Sequence, residues 1–254
     1  MILALDAGNT RVKWGVFDDA GQLTQTGAAE NRDPTALEEQ LKNAHGASRA
    51  VVSCVAGEVV ATQLSRVLNA LNLPARWIKP QAAACGVRNG YHAPETLGSD
   101  RWAALIAAWN LHHAPCVVVN AGTAMTVDAL SAQGEFLGGL IVPGMGMMRD
   151  ALARGTSVIA LPTGEWRDFP QSTADAAQSG LLAAAMGAVR HMEQMLAQHE
   201  GRAPRLILSG GDADMLADVL NCSSLPPPEK SGEEPLIIPH LVLRGLLFLE
   251  KTTP

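Results

Sequence analysis

Short apolar stretches broken by polar turns open the chain, and the same kind of pattern returns in its second half. Two apolar runs flank Asp6-Ala-Gly-Asn-Thr10, which predicts a β-hairpin over the first seventeen residues. A third strand over 21–27 is entered through an Asp19-Ala-Gly21 turn. Pro34 behind Asp33 forms an N1 and N-cap pair for an amphipathic helix over 34–45. A buried strand over 49–55 ends at Gly57, followed by a helix over 58–71 and a strand over 75–79. Gly, Asn, His and Pro make 85–98 a loop, and 99–110 reads as a helix apolar enough for deep burial.

The second half begins with a strand at 116–119, turned by 120–124. Strands over 125–130 and 135–142 follow, and Pro143-Gly-Met-Gly146 leads into a helix to about residue 154. A loop with Pro162 and Pro170 precedes a long Ala-rich helix over 172–199. A buried strand over 205–211, a helix to about residue 220, a Pro-rich loop over 223–235 and a helix over 239–251 complete the pattern.

The two halves repeat each other. Leu3-Ala-Leu-Asp-Ala-Gly-Asn9 aligns without a gap on Val117-Val-Val-Asn-Ala-Gly-Thr123, and Arg49-Ala-Val-Val-Ser53 aligns on Arg205-Leu-Ile-Leu-Ser209. The order strand, strand, strand, helix, strand, helix therefore occurs twice. The expectation is an α/β protein of two similar domains, 1–115 and 116–254, with a cleft between them.

Composition narrows the class of function. A hydrophobic content of 47% with 17% charged residues fits a globular chain, and a net charge of −6 gives no general attraction to nucleic acid or anionic membrane. No apolar run has the length of a membrane span, and no basic, apolar and cleavage-site sequence marks a signal peptide. Cys54, Cys85, Cys116 and Cys222 are scattered without metal-ligand spacing, and His112-His113 reads as a solvated helix end. The expected location is the cytoplasm.

The first hairpin tip carries a carboxylate, an amide, a hydroxyl and two cations, Arg11 and Lys13. Those groups suit a metal-bound phosphate, although Asp, Gly and Asn also occur in turns for backbone reasons alone. Two such tips can grip a polyphosphate where one cannot. At this point the sequence resembles the actin-like ATPase and sugar-kinase superfamily, whose duplicated ribonuclease-H-like domains hold ATP in the cleft between them. Within it the chain resembles the type III pantothenate kinases. The matching pieces are Asp6-Ala-Gly-Asn-Thr-Arg-Val-Lys13, Gly98-Ser-Asp-Arg101, Asn120-Ala-Gly-Thr-Ala-Met-Thr126, Gly138-Gly-Leu-Ile-Val-Pro-Gly144 and Ser172-Thr-Ala-Asp-Ala-Ala-Gln-Ser-Gly180.

The resemblance implies transfer of the ATP γ-phosphate to pantothenate, the first step of coenzyme A synthesis. It implies an ATP-binding loop of Asp6, Ala7, Gly8, Asn9, Thr10, Arg11, Val12 and Lys13, with Asp6 near Mg²⁺, through water, and Thr123 as a contact from the second tip. It makes Asp100 the general base and Arg101 the partner of the pantothenate carboxylate, with Tyr91, Gly98 and Ser99 in the substrate pocket. Thr173 would reach the substrate across a homodimer interface. Gly138-Gly139 and Pro143-Gly144 resemble the region that closes over the nucleotide, and Gly210-Gly211 is either a further nucleotide contact or a packing element. Simpler readings stand beside these: N-capping for Asp100 with Ser99 and for Thr173, a surface ion pair for Arg101, and loop packing for Tyr91.

One position departs from the family pattern. The second loop usually opens with an Asp that binds an activating monovalent cation, and here it is Asn120. Loss of that charge is expected to weaken a K⁺ or NH₄⁺ site. Asp128 is a possible substitute charge, with a solvated strand-end Asp as the plainer expectation. A nucleotide-binding regulatory factor of the same fold without turnover is the alternative function, and retention of Asp6, Lys13, Asp100 and Arg101 favours the enzyme. No nucleic-acid or membrane partner is expected.

Overall fold

The computed structural model describes residues 1–42, 44, 46–155, 163–222 and 234–252. In chain order the elements are β1 (Ile2–Ala7), β2 (Arg11–Phe17), β3 (Leu23–Glu30), α1 (Pro34–Lys42), β4 (Arg49–Cys54), α2 (Glu58–Ala70), β5 (Ala75–Trp77), β6 (Ala83–Ala84) and β7 (Val87–Asn89). A 3₁₀ turn at Pro94–Thr96 and α3 (Ser99–His112) follow. The chain continues with β8 (Cys116–Ala121), β9 (Ala124–Leu130), β10 (Glu135–Pro143), α4 (Met145–Gly155), α5 (Thr173–Glu200), β11 (Arg205–Ser209), α6 (Ala213–Cys222), β12 (Leu236–Ile237) and α7 (Leu241–Thr252). The stretch expected as a loop over 85–98 thus contains a strand and a 3₁₀ turn. Pro162 and most of the loop expected over 223–235 lie outside the described residues.

Two compact units form: Met1–His112 with His240–Pro254, and His113–Pro239. In the first, strands run in the order β3-β2-β1-β4-β5, antiparallel for β3/β2 and β2/β1, then parallel for β1/β4 and β4/β5. In the second, the order β10-β9-β8-β11-β12 has the same sense at each step. The duplication read from two short alignments is therefore a duplication of sheet topology.

Strand alternation divides each sheet into two faces. In the first unit Leu3, Leu5, Ala7, Val12, Trp14 and Val52 pack with Leu37 and Leu41 of α1 and Leu64 and Leu68 of α2. The other face takes α3 and α7, which pack on each other and on β4 and β1. Their approach is close: a Cβ at Gly245 would overlap the Ala103 carbonyl, and Ala103, Ala104, Ala107 and Ala108 are all buried. This backbone fit explains why α7, which follows the second unit in sequence, joins the first. In the second unit, Val117, Val119, Met125 and Val127 pack with Leu182, Met186 and Val189 of α5 and Leu216 and Leu220 of α6.

Candidate active site

Sheet register in the first unit assembles a row of three polar side chains. Asp6 on β1 stands opposite Lys13 on β2 and opposite Ser53 on β4. Neighbouring strands lie about 4.8 Å apart, so the three occupy adjacent positions on one face, the one covered by α3 and α7. Lys13 shares that face with Gly15, where a Cβ would come 3.2 Å from Leu243 of α7. The hairpin tip beyond the row is closed by Gly8 N–H donating to the Arg11 carbonyl at 3.1 Å. Asn31 fastens it from the side, its amide donating to the Gly8 carbonyl at 2.8 Å while its N–H donates to Thr10 O at 3.0 Å.

Asp6 is held under electrostatic stress. Its Oδ1 is buried and has no hydrogen-bond partner. Burial first, and then the Asp100 carboxylate, push its pKa up to about 7, against the pull of Lys13. A half-buried carboxylate with one covered oxygen still to satisfy, beside a second carboxylate and an ammonium, is suited to a hydrated cation and the phosphates it accompanies. His240, which precedes α7 with φ 57°, belongs to the same neighbourhood. Burial, Lys13 and Arg244 lower its pKa. Among the described residues no group of three or more His, Cys, Asp or Glu side chains could form an all-protein metal cage.

The first turn of α3 supplies the second carboxylate. Ser99 is buried and its Oγ lies 2.9 Å from Ser53 Oγ, so the helix start is tied to β4. Asp100 Oδ1 accepts from the Arg101 N–H at 2.8 Å, a local contact of the helix-start kind. Gly98 makes room for that carboxylate, since a Cβ there would stand 2.5 Å from Asp100 Oδ1. Arg101 is buried rather than exposed to solvent, at 5% exposure, which removes the surface ion-pair reading. Its Nη1 donates to the Tyr91 hydroxyl at 2.8 Å, and its guanidinium carbon lies 5.7 Å from the ring centroid. Tyr91 is held in turn by its N–H donating to Asn89 Oδ1 at 3.1 Å.

The second unit presents the equivalent row with different chemistry. Asn120 on β8 stands opposite Thr126 on β9 and Ser209 on β11. Backbone contacts hold this tip. Gly144 N–H donates to Thr123 O at 3.0 Å, and a Cβ at Gly144 would overlap the Gly122 carbonyl. From the other side, Gly210 at φ 104° lies against Ala121, whose carbonyl a Cβ would overlap and which accepts from Asp212 N–H at 3.2 Å. Gly210 is a packing glycine, while Gly211 has open space around it. An apolar pocket beside the tip is lined by Met125, Pro143, Met145, Met148, Met215 and Leu216, among others. Asp128 is not a solvated strand-end residue: at 1% exposure it lies inside β9, opposite Val118, on the face that carries Asn120.

Thr173 is the first residue of α5 and is exposed. The N-cap role expected of it as an alternative belongs to Ser172, whose side chain accepts from Asp175 N–H at 3.1 Å. The structure thus gathers Asp6, Lys13, Ser99, Asp100, Arg101 and Tyr91 within the first unit, and places Asn120 and Thr123 together in the second hairpin. Thr173 lies on another element. Ser53 and His240 were missed as site residues. The alignment of Ser53 with Ser209 was the signal for the first; nothing in the sequence marked the second.

Comparison with known proteins fits this geometry. Residues 2–195 match the family model described as Type III pantothenate kinase. The chain is 44% identical over 253 residues to the type III pantothenate kinase of Nitrosospira multiformis, covering 100% of this chain and 92% of that protein. Among solved structures, a Campylobacter jejuni protein assigned to the Baf family of transcriptional activators superposes with a TM-score of 0.62 at 21% identity, covering 98% of this chain and 97% of that one. A ROK family glucokinase from Streptomyces griseus, solved with glucose and AMPPNP, gives a TM-score of 0.52 at 12% identity over 99% of this chain and 98% of the other. The structural likenesses establish the sugar-kinase fold, and the sequence likenesses establish the family.

Proposed function

Since the chain belongs to the type III pantothenate kinase family, we propose a division of labour for the reaction it catalyses, ATP-dependent phosphorylation of pantothenate in coenzyme A biosynthesis. The observation that carries the assignment is the Lys13–Asp6–Ser53 row with Asp100 beside it. Asp100 is the general base. It accepts the proton of the pantothenate primary hydroxyl as that oxygen bonds to the γ-phosphorus and the bond to the β–γ bridging oxygen breaks, releasing ADP. Arg101, oriented by Tyr91, holds the substrate carboxylate through its forked donors, with Gly98 and Ser99 shaping the pocket.

Residues 6–13 form the loop for the ATP phosphates, with Lys13 countering charge on the transferring group and Thr123 as a further ATP contact. The unpartnered Asp6 Oδ1 fits Mg²⁺ held through water. When bound, Mg²⁺ neutralises phosphate oxygens and so favours their approach to a carboxylate-lined site. Asn120 presents a neutral oxygen where the family pattern has a carboxylate, so a K⁺ or NH₄⁺ requirement is weakened. The homodimer reading, in which Thr173 completes the partner's substrate site, is supported by α4. That helix leaves Met147 and Leu152 exposed. A cytoplasmic location accords with the substrate pair; no described helix is long and apolar enough to cross a membrane.

Asp100→Asn tests the assignment in an ATP-consumption assay with pantothenate and a panel of sugars. Turnover should be specific to pantothenate and fall about 10²–10⁴-fold in the variant, as for loss of a general base. Unchanged turnover would remove Asp100 from that role.

A further inference from the structure

The assignments above use Ser53 as a place in the polar row and Ser99 as pocket wall, and give the hydrogen bond between them no task. Ser53 is fully buried, so it cannot meet either substrate or serve as a nucleophile. Its position is nevertheless unusual for a core residue. It is directly opposite Asp6 in the parallel β1/β4 register, and its Oγ reaches Ser99 Oγ at 2.9 Å. Ser99 is covalently adjacent to Asp100 and 6% exposed. Ser53 thus connects the strand paired with the phosphate-loop carboxylate to the turn of helix that carries the other carboxylate. Packing alone would be served by alanine, whereas two buried hydroxyls that satisfy each other fix a direction as well as a distance.

We propose that Ser53 is a positioning residue for phosphoryl transfer: its bond to Ser99 sets the height and rotation of the α3 N-terminus and so places Asp100 against the acceptor hydroxyl. Displacement of a reacting group by an ångström can cost up to about 100-fold in rate without any loss of binding. The proposal rests on Asp100 as the base, so its test has to separate the two.

Four variants, Ser53→Ala, Ser53→Thr, Ser99→Ala and Asp100→Asn, are measured in steady-state and single-turnover assays, with Ser53→Ala also placed in the Asp100→Asn background. Ser53→Ala should lower kcat by about 10- to 100-fold with the KM for ATP within about twofold. Ser99→Ala should reproduce the loss from the other side of the pair, and Ser53→Thr, which keeps the hydroxyl, should recover most of it. In the Asp100→Asn background the loss on Ser53→Ala should shrink to less than about twofold, because a positioning residue has no effect once the group it positions has gone. Equal losses in both backgrounds would show a general structural role and overturn the proposal. So would wild-type kcat in Ser53→Ala, even with Asp100→Asn inactive. Undiminished turnover in Asp100→Asn overturns the base assignment first, and is read directly from that variant. If Ser53→Ala does not fold, Ser99→Ala carries the same comparison.

Discussion

The rows Lys13–Asp6–Ser53 and Thr126–Asn120–Ser209 occupy equivalent strands of a duplicated sheet and share a buried serine, yet their other two members differ in charge. The first holds an ammonium and a carboxylate, and the second holds an amide and hydroxyls. Their supports differ as well. Side chains fasten the first tip and its row: Asn31 to Gly8, and Ser53 to Ser99. Backbone contact fastens the second, with Gly144 on one side of the loop and Gly210 on the other. The duplicated topology sets where polar groups can stand. The residues placed there decide which copy carries charge.

If the charge is concentrated in the first row, removing it should cost far more than removing a neutral contact from the second hairpin. Lys13→Ala should reduce kcat/KM about 10²–10³-fold, the size seen when a preorganised donor to a developing anion is lost. Thr123→Ala should cost about tenfold or less, and equal losses would erase the distinction. The modes of support can be compared through thermal unfolding. Gly210→Ala should destabilise by about 2–4 kcal/mol, since it combines a left-handed φ with overlap on the Ala121 carbonyl. Gly8→Ala, where a Cβ would rest 3.6 Å from Arg11 O, should change stability by less than about 1 kcal/mol.

The stress on Asp6 gives a pH signature. Its folded-state pKa of about 7 lies above the unsupported value of 3.8, so the folded chain binds the proton more tightly than the unfolded chain. Stability is therefore fully present below about pH 4 and is lost as pH rises towards 7. Asp6→Asn removes that loss, and in EDTA it should melt several degrees above wild type at pH 8, with no advantage below pH 4. A constant difference across that range would mean that the carboxylate is not the source. The smallest expected effect concerns Asn120. Omitting K⁺ and NH₄⁺ should lower activity only a few-fold, and Asn120→Asp should increase the dependence. Complete inactivity without either ion, with saturation at low concentration, would contradict the neutral reading of the second row.

Much of this was readable before the structure. Two short alignments disclosed the duplicated topology because β1 and β8 carry nearly identical apolar spacing up to the same polar tip. The α3 helix was legible because its burial is nearly complete, leaving an apolar run that solvent would not tolerate. What escaped depended on partners distant in sequence. Arg101 has the composition of a surface residue, and its burial becomes intelligible through partners such as Tyr91, ten positions earlier. Asp128 looked like a strand-end charge because strand length, not residue type, decides whether it is covered. The place of α7 was equally hidden, since it depends on partners far away in sequence, among them Ala103 against Gly245 and Arg49 and Arg76 against Glu250.

That place of α7 bears on how the protein is made. The second unit spans His113–Pro239 without interruption, so a ribosome delivers all of it before α7 begins to emerge. The first unit is discontinuous: its β1, β4 and α3 are synthesised early and wait for Leu241–Thr252 to cover them. The unit that carries the proposed catalytic charge is therefore the later of the two to complete its core, although more than a hundred of its residues are translated first. A nascent chain paused before residue 240 holds every proposed catalytic residue and still lacks the helix that closes over them.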